Sequence, residues 1–450
     1  MATLHTDKAF HAEVPIITFE PATSNHRTEA EAFILRHTTR DTQDDPMVRE
    51  VSEQVVEDVR KKGDTALLEY TKKFDKAVLT AGTLKVTQAE MDEALSSISP
   101  ELKTTIHRAA ERIRAFHERQ RQNSWFDTSN EGEILGQLVR AVDAAGVYVP
   151  GGTAPLSSSV LMNLIPAQVA GVERIVMATP PNASGTVDSS ILAAAAEAGA
   201  TEIYKMGGAQ AIAALAFGTE TVPRVDKIVG PGNIYVTMAK RAVFGYVGID
   251  SIAGPSDITV VADESANPVY VAADLLSQAE HDERATSILV TTSQALAEHV
   301  QEELSRQAAL LERKEITYAS LKNNGIIFLA DNIRDAFHLA NAIGPEHLEI
   351  CTADPFEKLT LVRHAGAVFL GHYTPESLGD YMAGPNHVLP TDGTARFFSP
   401  LSVDDFIKKT SVLSFSQEAM ERIRKDVVRF ARSEGLDAHA NAVEIRALKS

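Results

Sequence analysis

Four short apolar runs decide the fold class: GVYVP (Gly146–Pro150), RIVMATP (Arg174–Pro180), EIYKM (Glu202–Met206) and DKIVG (Asp226–Gly230). Each is short enough for a strand and ends in turn residues. Between them lie small-residue segments of helical character, such as ILAAAAEAGA (Ile191–Ala200) and AIAALAFG (Ala211–Gly218). Apolar strands alternating with helices predict a mostly parallel sheet with both faces covered, over about 146–250. Downstream, DITVVAD (Asp257–Asp263), SILVTTS (Ser287–Ser293), GIIFLA (Gly325–Ala330) and GAVFLG (Gly366–Gly371) predict a second α/β series. No repeat period stands out, although two successive α/β units can be structural duplicates that have lost sequence similarity.

Upstream, Asp45 to Asn123 reads as helical. Ser99 as N-cap and Pro100 at the first helical position open a stripe of Leu102, Ile106, Ala109, Ile113 and Phe116. The first forty residues lack periodicity and read as an arm lying on something else. From about Phe398 the chain reads as a small helical appendage with an exposed hydrophobic beginning.

Composition narrows the function classes. The chain has 450 residues, 44% of them hydrophobic, and a net charge of −18 from 43 basic and 61 acidic side chains. Roughly two to four structural units are expected at this length. The acid excess and scattered basic residues argue against nucleic acid or an anionic membrane as partner. The longest apolar run, near Ile191–Ala200, falls short of the ~20 residues of a spanning helix, and MATLHTDKAFHAEVPIITFE lacks the layout of a secretory signal. A single cysteine, Cys351, excludes an intramolecular disulfide and any CxxC motif. A cytoplasmic enzyme is the expectation.

Several segments can carry chemistry. Glycine-rich turns follow apolar runs at Tyr148–Thr153, Gly207–Gln210 and Gly230–Asn233, where open α/β sheets bind ligands and helix amino termini attract phosphate. The dinucleotide fingerprint is absent, since Tyr235 stands at the third glycine position, and ordinary βα turns explain the same residues. Gln278 and His281 share a helix face at a spacing a metal can use, and a polar helix end explains them equally well. Glu346 and His347 after a Gly-Pro turn make a natural acid/base pair. The run Ser377–His387 sets Asp380 and His387 among glycine and proline, and Glu434–His439 places Gly435 where a helix would end. His372 is expected to pack or hydrogen bond, His387 to support the site or be incidental, Cys351 to be a buried hydrophobe, and Trp125 to be a packing residue.

Together these blocks resemble the histidinol dehydrogenase family. The likeness runs from about Asp45 to Arg446 and rests on GVYVPGGTAPLSSSVLMNLIPAQVAG, GGAQAIAALAFGTETVPRVDKIVGPGN, AGPSDITVVAD, DLLSQAEHD, GPEHLEI, the stretch from Gly384 to Val403, and EGLDAHANAVEIR. It implies zinc, one per subunit, on Gln278, His281, Asp380 and His439. It places Ser256, His347 and Glu434 at the substrate together with those metal ligands, and Tyr148, Gln210 and Asn233 at NAD. Glu346 and His347 would be the acid/base pair. The implied reaction is the four-electron oxidation of L-histidinol to L-histidine through the aldehyde with two NAD, in a homodimer whose carboxy-terminal appendage completes the partner's site.

The expected fold is α/β: two incomplete Rossmann-like domains with parallel-rich sheets, a small N-terminal arm and a small helical C-terminal domain. The expected division is 1–44 as the arm, 45–147 with 256–397 as a discontinuous domain carrying substrate and metal residues, 148–255 on the NAD side, and 398–450 as the C-terminal domain. Three rival readings remain: a related zinc/NAD dehydrogenase of another small polyol or sulfonated diol, a zinc hydrolase, which leaves the glycine turns unexplained, and a non-catalytic metal-binding protein, against which both members of the acid/base pair argue.

Overall fold

A computed structural model describes residues 14–19, 25–39, 45–151 and 155–447. Most of the expected arm, and Gly152 and Thr153 of the first glycine turn, lie outside these residues. The four deciding runs become strands Ala144–Tyr148, Arg174–Thr179, Glu202–Lys205 and Lys227–Val229, joined by Gly248–Ile249 in a five-stranded sheet. The second series supplies Asp257–Ala262, Thr286–Thr291, Gly325–Ala330, His347–Cys351 and Ala367–Leu370 to a six-stranded sheet. All pairings in both sheets are parallel.

The two sheets are wound alike. In each, the first strand of the series lies inside, the next two add outward on one side, and the last two add on the other. Each sheet therefore has a switch point beside its first strand, between Ala144–Tyr148 and Lys227–Val229 in one and between Asp257–Ala262 and His347–Cys351 in the other. The six-stranded sheet gains its extra edge from Ile16–Phe19, which pairs with Gly325–Ala330. Helix Asn25–Thr39 then packs against Ile333–Ile343. The part of the arm that the structure describes is thus an integral strand and helix of this sheet.

One boundary is corrected. Residues 45–147 were expected with 256–397, yet their helices cover the five-stranded unit. Val55, Val56, Val59 and Leu67 share a core with Tyr148, Val176 and Ile212. Ile106, Ala109 and Ile113 share another with Val147, Leu164 and Ile175. The reason lies in the Ala-rich helices. Ala209 through Ala216 of Gly208–Phe217 are all buried, because this helix is sandwiched between its sheet and Pro46–Lys62, and a helix apolar all round needs cover on every side. Ser99 does cap Pro100–His117, accepting from the N–H of Leu102 at 3.1 Å.

The carboxy-terminal unit is also corrected. It opens with an irregular stretch that buries Leu401, Val403 and Phe406 in the core of the five-stranded unit, then forms strand Ile407–Phe415, antiparallel to Glu133–Ala141. With Trp125–Asp127 this makes a three-stranded sheet that the helical reading missed, and Trp125, expected to pack, is 52% exposed on its edge. Among the described residues of this unit the α-helices are Gln417–Ser433 and Asp437–Glu444, which follow a short 3-10 turn at Val403–Phe406 and meet around Val428, Ala431 and Ala440.

Candidate active site

Two sets of polar residues gather at opposite ends of the two sheets. In the six-stranded unit they lie at the amino ends of the strands. Asp257 begins the central strand and His347 begins its neighbour. Asp257 and Glu346 are tied reciprocally: the N–H of Glu346 donates to Asp257 Oδ1 at 2.9 Å, and the N–H of Asp257 donates to Glu346 Oε2 at 3.1 Å. The Nδ1–H of His347 donates to the Asp257 carbonyl at 3.2 Å, leaving Nε2 3.9 Å from Glu376 Oε1. Glu346 and His347 are both buried, with Glu346 Oε2 3.9 Å from His347 Nδ1. Burial pushes the Glu346 carboxyl up to about 8, the His347 charge opposing it and Asp257 adding to it.

Next to this pair, the carboxyl end of helix Pro268–Ala279 brings Gln278 and His281, and the short helix Glu376–Tyr381 brings Glu376 and Asp380. Donor atoms of His281, Glu376 and Asp380 lie within 4.8 Å of one another. Ser277 Oγ donates to Glu376 Oε2 at 3.2 Å, and burial, then the Asp380 charge, pushes Glu376 up to about 8. Glu349 accepts the N–H of Glu376 at 2.8 Å and so anchors the start of that helix. His387 lies with Nδ1 3.1 Å from the Asp380 carbonyl and 3.7 Å from Oδ1. A cavity of about 680 Å³ reaches His347, Asp380 and His387.

These residues suit a divalent cation. The Gln278 carboxamide is buried with neither Oε1 nor Nε2 partnered, a state that costs on the order of 1–3 kcal/mol unless a ligand satisfies it. An imidazole, an amide oxygen and carboxylates make a mixed nitrogen and oxygen set of the kind zinc accepts. Ser256 precedes Asp257 at the same strand end, its carbonyl accepting the N–H of Thr286 at 3.0 Å. Glu434 and His439 do not join this group. They are exposed on the carboxy-terminal helices.

In the five-stranded unit the candidate residues lie at the carboxyl ends of the strands. Tyr148, Gln210 and Asn233 line one cavity of about 680 Å³. Tyr148 OH accepts the N–H of Gly208 at 3.1 Å, and burial pushes the phenol up to about 12. Asn233 caps helix Ile234–Val243, its side chain accepting from Tyr235 N at 3.1 Å and Val236 N at 3.2 Å. Gly230 has φ +117° and a Cβ there would meet Tyr148 O at 2.1 Å, so the switch-point crossing admits only glycine. A buried ion pair, Lys240 with Asp250, holds this turn: Asp250 accepts the N–H of Gly230 at 2.8 Å and Lys240 donates to its carbonyl at 3.0 Å. Gln210 Nε2 donates to Asp75 Oδ2 at 3.2 Å while Gln210 Oε1 is buried and unpartnered. Burial pushes Asp75 up to about 6.

Sequence reasoning missed Asp75, Asp250, Glu376 and Glu349. Only Glu376 carried a signal, since it stands four residues before Asp380 on one helix face. His372 lies apart, 3.4 Å from Ser265 Oγ, and Cys351 is a buried core residue whose thiol burial pushes up.

Comparison with known proteins identifies the family of the chain. The family model described as histidinol dehydrogenase matches residues 38–447. Histidinol dehydrogenases of Halalkalibacterium halodurans and Bacillus subtilis are each 55% identical, over 87% and 88% of this chain and 92% and 93% of theirs. The crystal structure of histidinol dehydrogenase from Elizabethkingia anophelis superposes with a TM-score of 0.91 at 39% identity, over 97% of this chain and 98% of that one.

Proposed function

This chain belongs to the histidinol dehydrogenase family, NAD-dependent oxidoreductases of histidine biosynthesis, and on that premise we propose the assignments that follow. L-histidinol is oxidised to L-histidine through L-histidinal in the cavity beside His347, with two NAD used in succession. The observation that carries this reading is the buried Glu346–His347 pair next to an unpartnered Gln278 amide and the donors of His281, Glu376 and Asp380. When bound, NAD would supply the hydride acceptor of each half-reaction, and a zinc ion, which Gln278, His281 and Asp380 would hold, would supply a positive centre for orienting the imidazole and amine of the substrate.

The remaining steps belong to the chain. His347, its ring fixed by Asp257, takes the hydroxyl proton at Nε2 in the first oxidation. In the second, Glu346 removes a proton from the water that adds to the aldehyde, and His347 takes the hydroxyl proton of the hydrate as it is oxidised. Holding the aldehyde in this cavity between the two oxidations limits its escape. Tyr148, Gln210 and Asn233 hold NAD, whose pyrophosphate suits the helix amino terminus that Asn233 caps.

Glu434 and His439 complete the site of a partner subunit in a homodimer, Glu434 meeting the substrate and His439 the metal. Supporting this, both are exposed and remote from their own chain's cluster, and apolar residues around them, Phe430 at 71% and Ile445 at 78%, are left uncovered. Among the described residues no helix is long and apolar enough to cross a membrane, and a cytoplasmic location fits the biosynthetic role.

The deciding experiment counts NADH formed per L-histidinol by the zinc-loaded protein, with a sulfonated diol in parallel. Two NADH per histidinol, abolished by chelation, is the expected result; one NADH with free aldehyde, or turnover of the diol alone, overturns it. For the shared site, mixing and refolding the inactive variants His347→Asn and His439→Ala should restore activity. No recovery in mixed dimers would place the site within one chain.

A further inference from the structure

The amino-terminal helix Asn25–Thr39 brings one side chain to the residue on which the acid/base pair depends. His37 Nε2 lies 3.6 Å from Asp257 Oδ2, both side chains being buried. Among the described residues the Asp257 carboxylate is otherwise held by backbone, the N–H of Glu346 on Oδ1 at 2.9 Å and the N–H of Asp392 on Oδ2 at 3.3 Å. The main chain of Asp257 in turn holds the Glu346 carboxylate and the His347 ring.

Two contacts seat the helix so that His37 arrives there. Phe33 stacks on His37 with centroids 6.2 Å apart and meets Phe328 of the six-stranded sheet edge-on at 5.7 Å. At the other side Thr38 abuts the loop carrying Asp392, where a Cβ on Gly393 would come within 2.9 Å of Thr38 Cγ2. Burial pushes the His37 imidazole down, but the neighbouring Asp257 carboxylate, with the charge of Asp392, more than reverses this against Arg36, and the ring stays above its ordinary value.

We propose that His37 is a positioning residue for the Glu346–His347 pair: its ring, buried against the Asp257 carboxylate, keeps Asp257 in place, and Asp257 sets both members of the pair. The inference rests on the reading of Glu346 and His347 as the acid/base pair. A cation shared by His37, Asp257 and Asp392 is geometrically conceivable, since their donor atoms lie within 4.8 Å of one another. However, each Asp257 oxygen already accepts a backbone N–H, which is the bonding of a structural anion with a cationic side chain beside it. Removing the His37 ring takes a basic group away from a fully buried carboxylate that lies near Asp392 and is bonded to Glu346.

The test is steady-state kinetics of His37→Asn in the zinc-loaded enzyme. The kcat for histidinol should fall on the order of ten- to a hundredfold, the scale of a misplaced catalytic group, with the KM for NAD unchanged and part of the loss recovered in His37→Lys. In the Asp257→Asn background, His37→Asn should cost little more. Phe33→Leu, which loosens the helix without touching Asp257, should leave kcat nearer the wild-type value. A His37→Asn kcat within about twofold of wild type, losses that add in the double variant, or equal losses in Phe33→Leu and His37→Asn overturn the proposal. Glu346→Gln and His347→Asn are measured alongside. If these two lose conversion to histidine while His37→Asn keeps kcat within about twofold of wild type, the positioning role alone fails; if they form histidine at the wild-type rate, the pair is misread and the proposal falls with it.

Discussion

The two parallel sheets are wound in the same order, yet one gathers its polar residues at the carboxyl ends of the strands and the other at the amino ends. The difference matches the charge each end favours. At the carboxyl ends of the five-stranded sheet, helices Gly208–Phe217 and Ile234–Val243 begin, and their amino termini present N–H groups and positive partial charge, which favour an anion. At the amino ends of the six-stranded sheet, helix Pro268–Ala279 finishes, and its carboxyl terminus favours a cation near Gln278 and His281. One winding thus offers an anion site and a cation site, according to which end is lined with polar side chains.

The largest effect expected of this contrast is at the cation end. His347→Asn should lower kcat by roughly 10²- to 10⁴-fold, while NAD affinity, measured by fluorescence titration, stays as in wild type. Weakened NAD binding would break the separation of the two ends. Next, Glu346 must lose its proton to act on water, and burial holds that proton up to about pH 8. Oxidation of added L-histidinal should therefore rise about tenfold per pH unit on approach to 8 and level above it, and Glu346→Gln should stop after one NADH. A flat profile between pH 6 and 9, approximate limits of the measurable range, would remove Glu346 as that base.

Smaller effects sharpen the comparison. Gln278→Leu should weaken zinc retention about 10- to 100-fold in a chelator competition and leave the KM for NAD alone. At the anion end, Asn233→Ala should raise the KM for NAD, lower stability by about 1 kcal/mol through loss of the cap, and leave zinc content unchanged by elemental analysis. The smallest effect is at Asp75. Its folded-state carboxyl, pushed up to about 6, binds a proton that the unfolded chain has released. Stability contributed by that proton is present at low pH and lost as pH rises from the ordinary carboxyl range through 6. Asp75→Asn should remove this component from the pH dependence of the melting temperature, and an unchanged dependence would show that Asp75 does not titrate there.

Much of the molecule was legible in local pattern. Eight of the eleven strands of the two parallel sheets follow from short apolar runs with turn residues at their ends, Ile16–Phe19, Gly248–Ile249 and His347–Cys351 being the exceptions, and the helix Pro100–His117 follows from its cap and stripe. The strand Ile407–Phe415 was not legible, because it is mostly exposed on both faces and carries no clean alternation to report which side is buried. The placement of 45–147 was missed for a different reason. An amphipathic helix declares that one face is buried without declaring against what.

The candidate site divides in the same way. Residue types and spacing, with the family resemblance, singled out Gln278, His281, Glu346, His347 and Asp380, which the structure brings to one end of one sheet. Asp75, Asp250 and His37 had no signal, since each works through a partner more than one hundred residues away, or in the case of Asp250 through a buried pair with Lys240. By itself the sequence determined the alternation of strands and helices, the chemical classes in the motif blocks and the exclusion of disulfide and CxxC chemistry. Only the tertiary structure decided which sheet each helix covers, which strand ends carry the side chains, and that His37 of an amino-terminal helix lies against Asp257. Local pattern reports how a segment divides its surface between apolar and polar; contact between distant segments is chosen by the packing and charge of the whole chain.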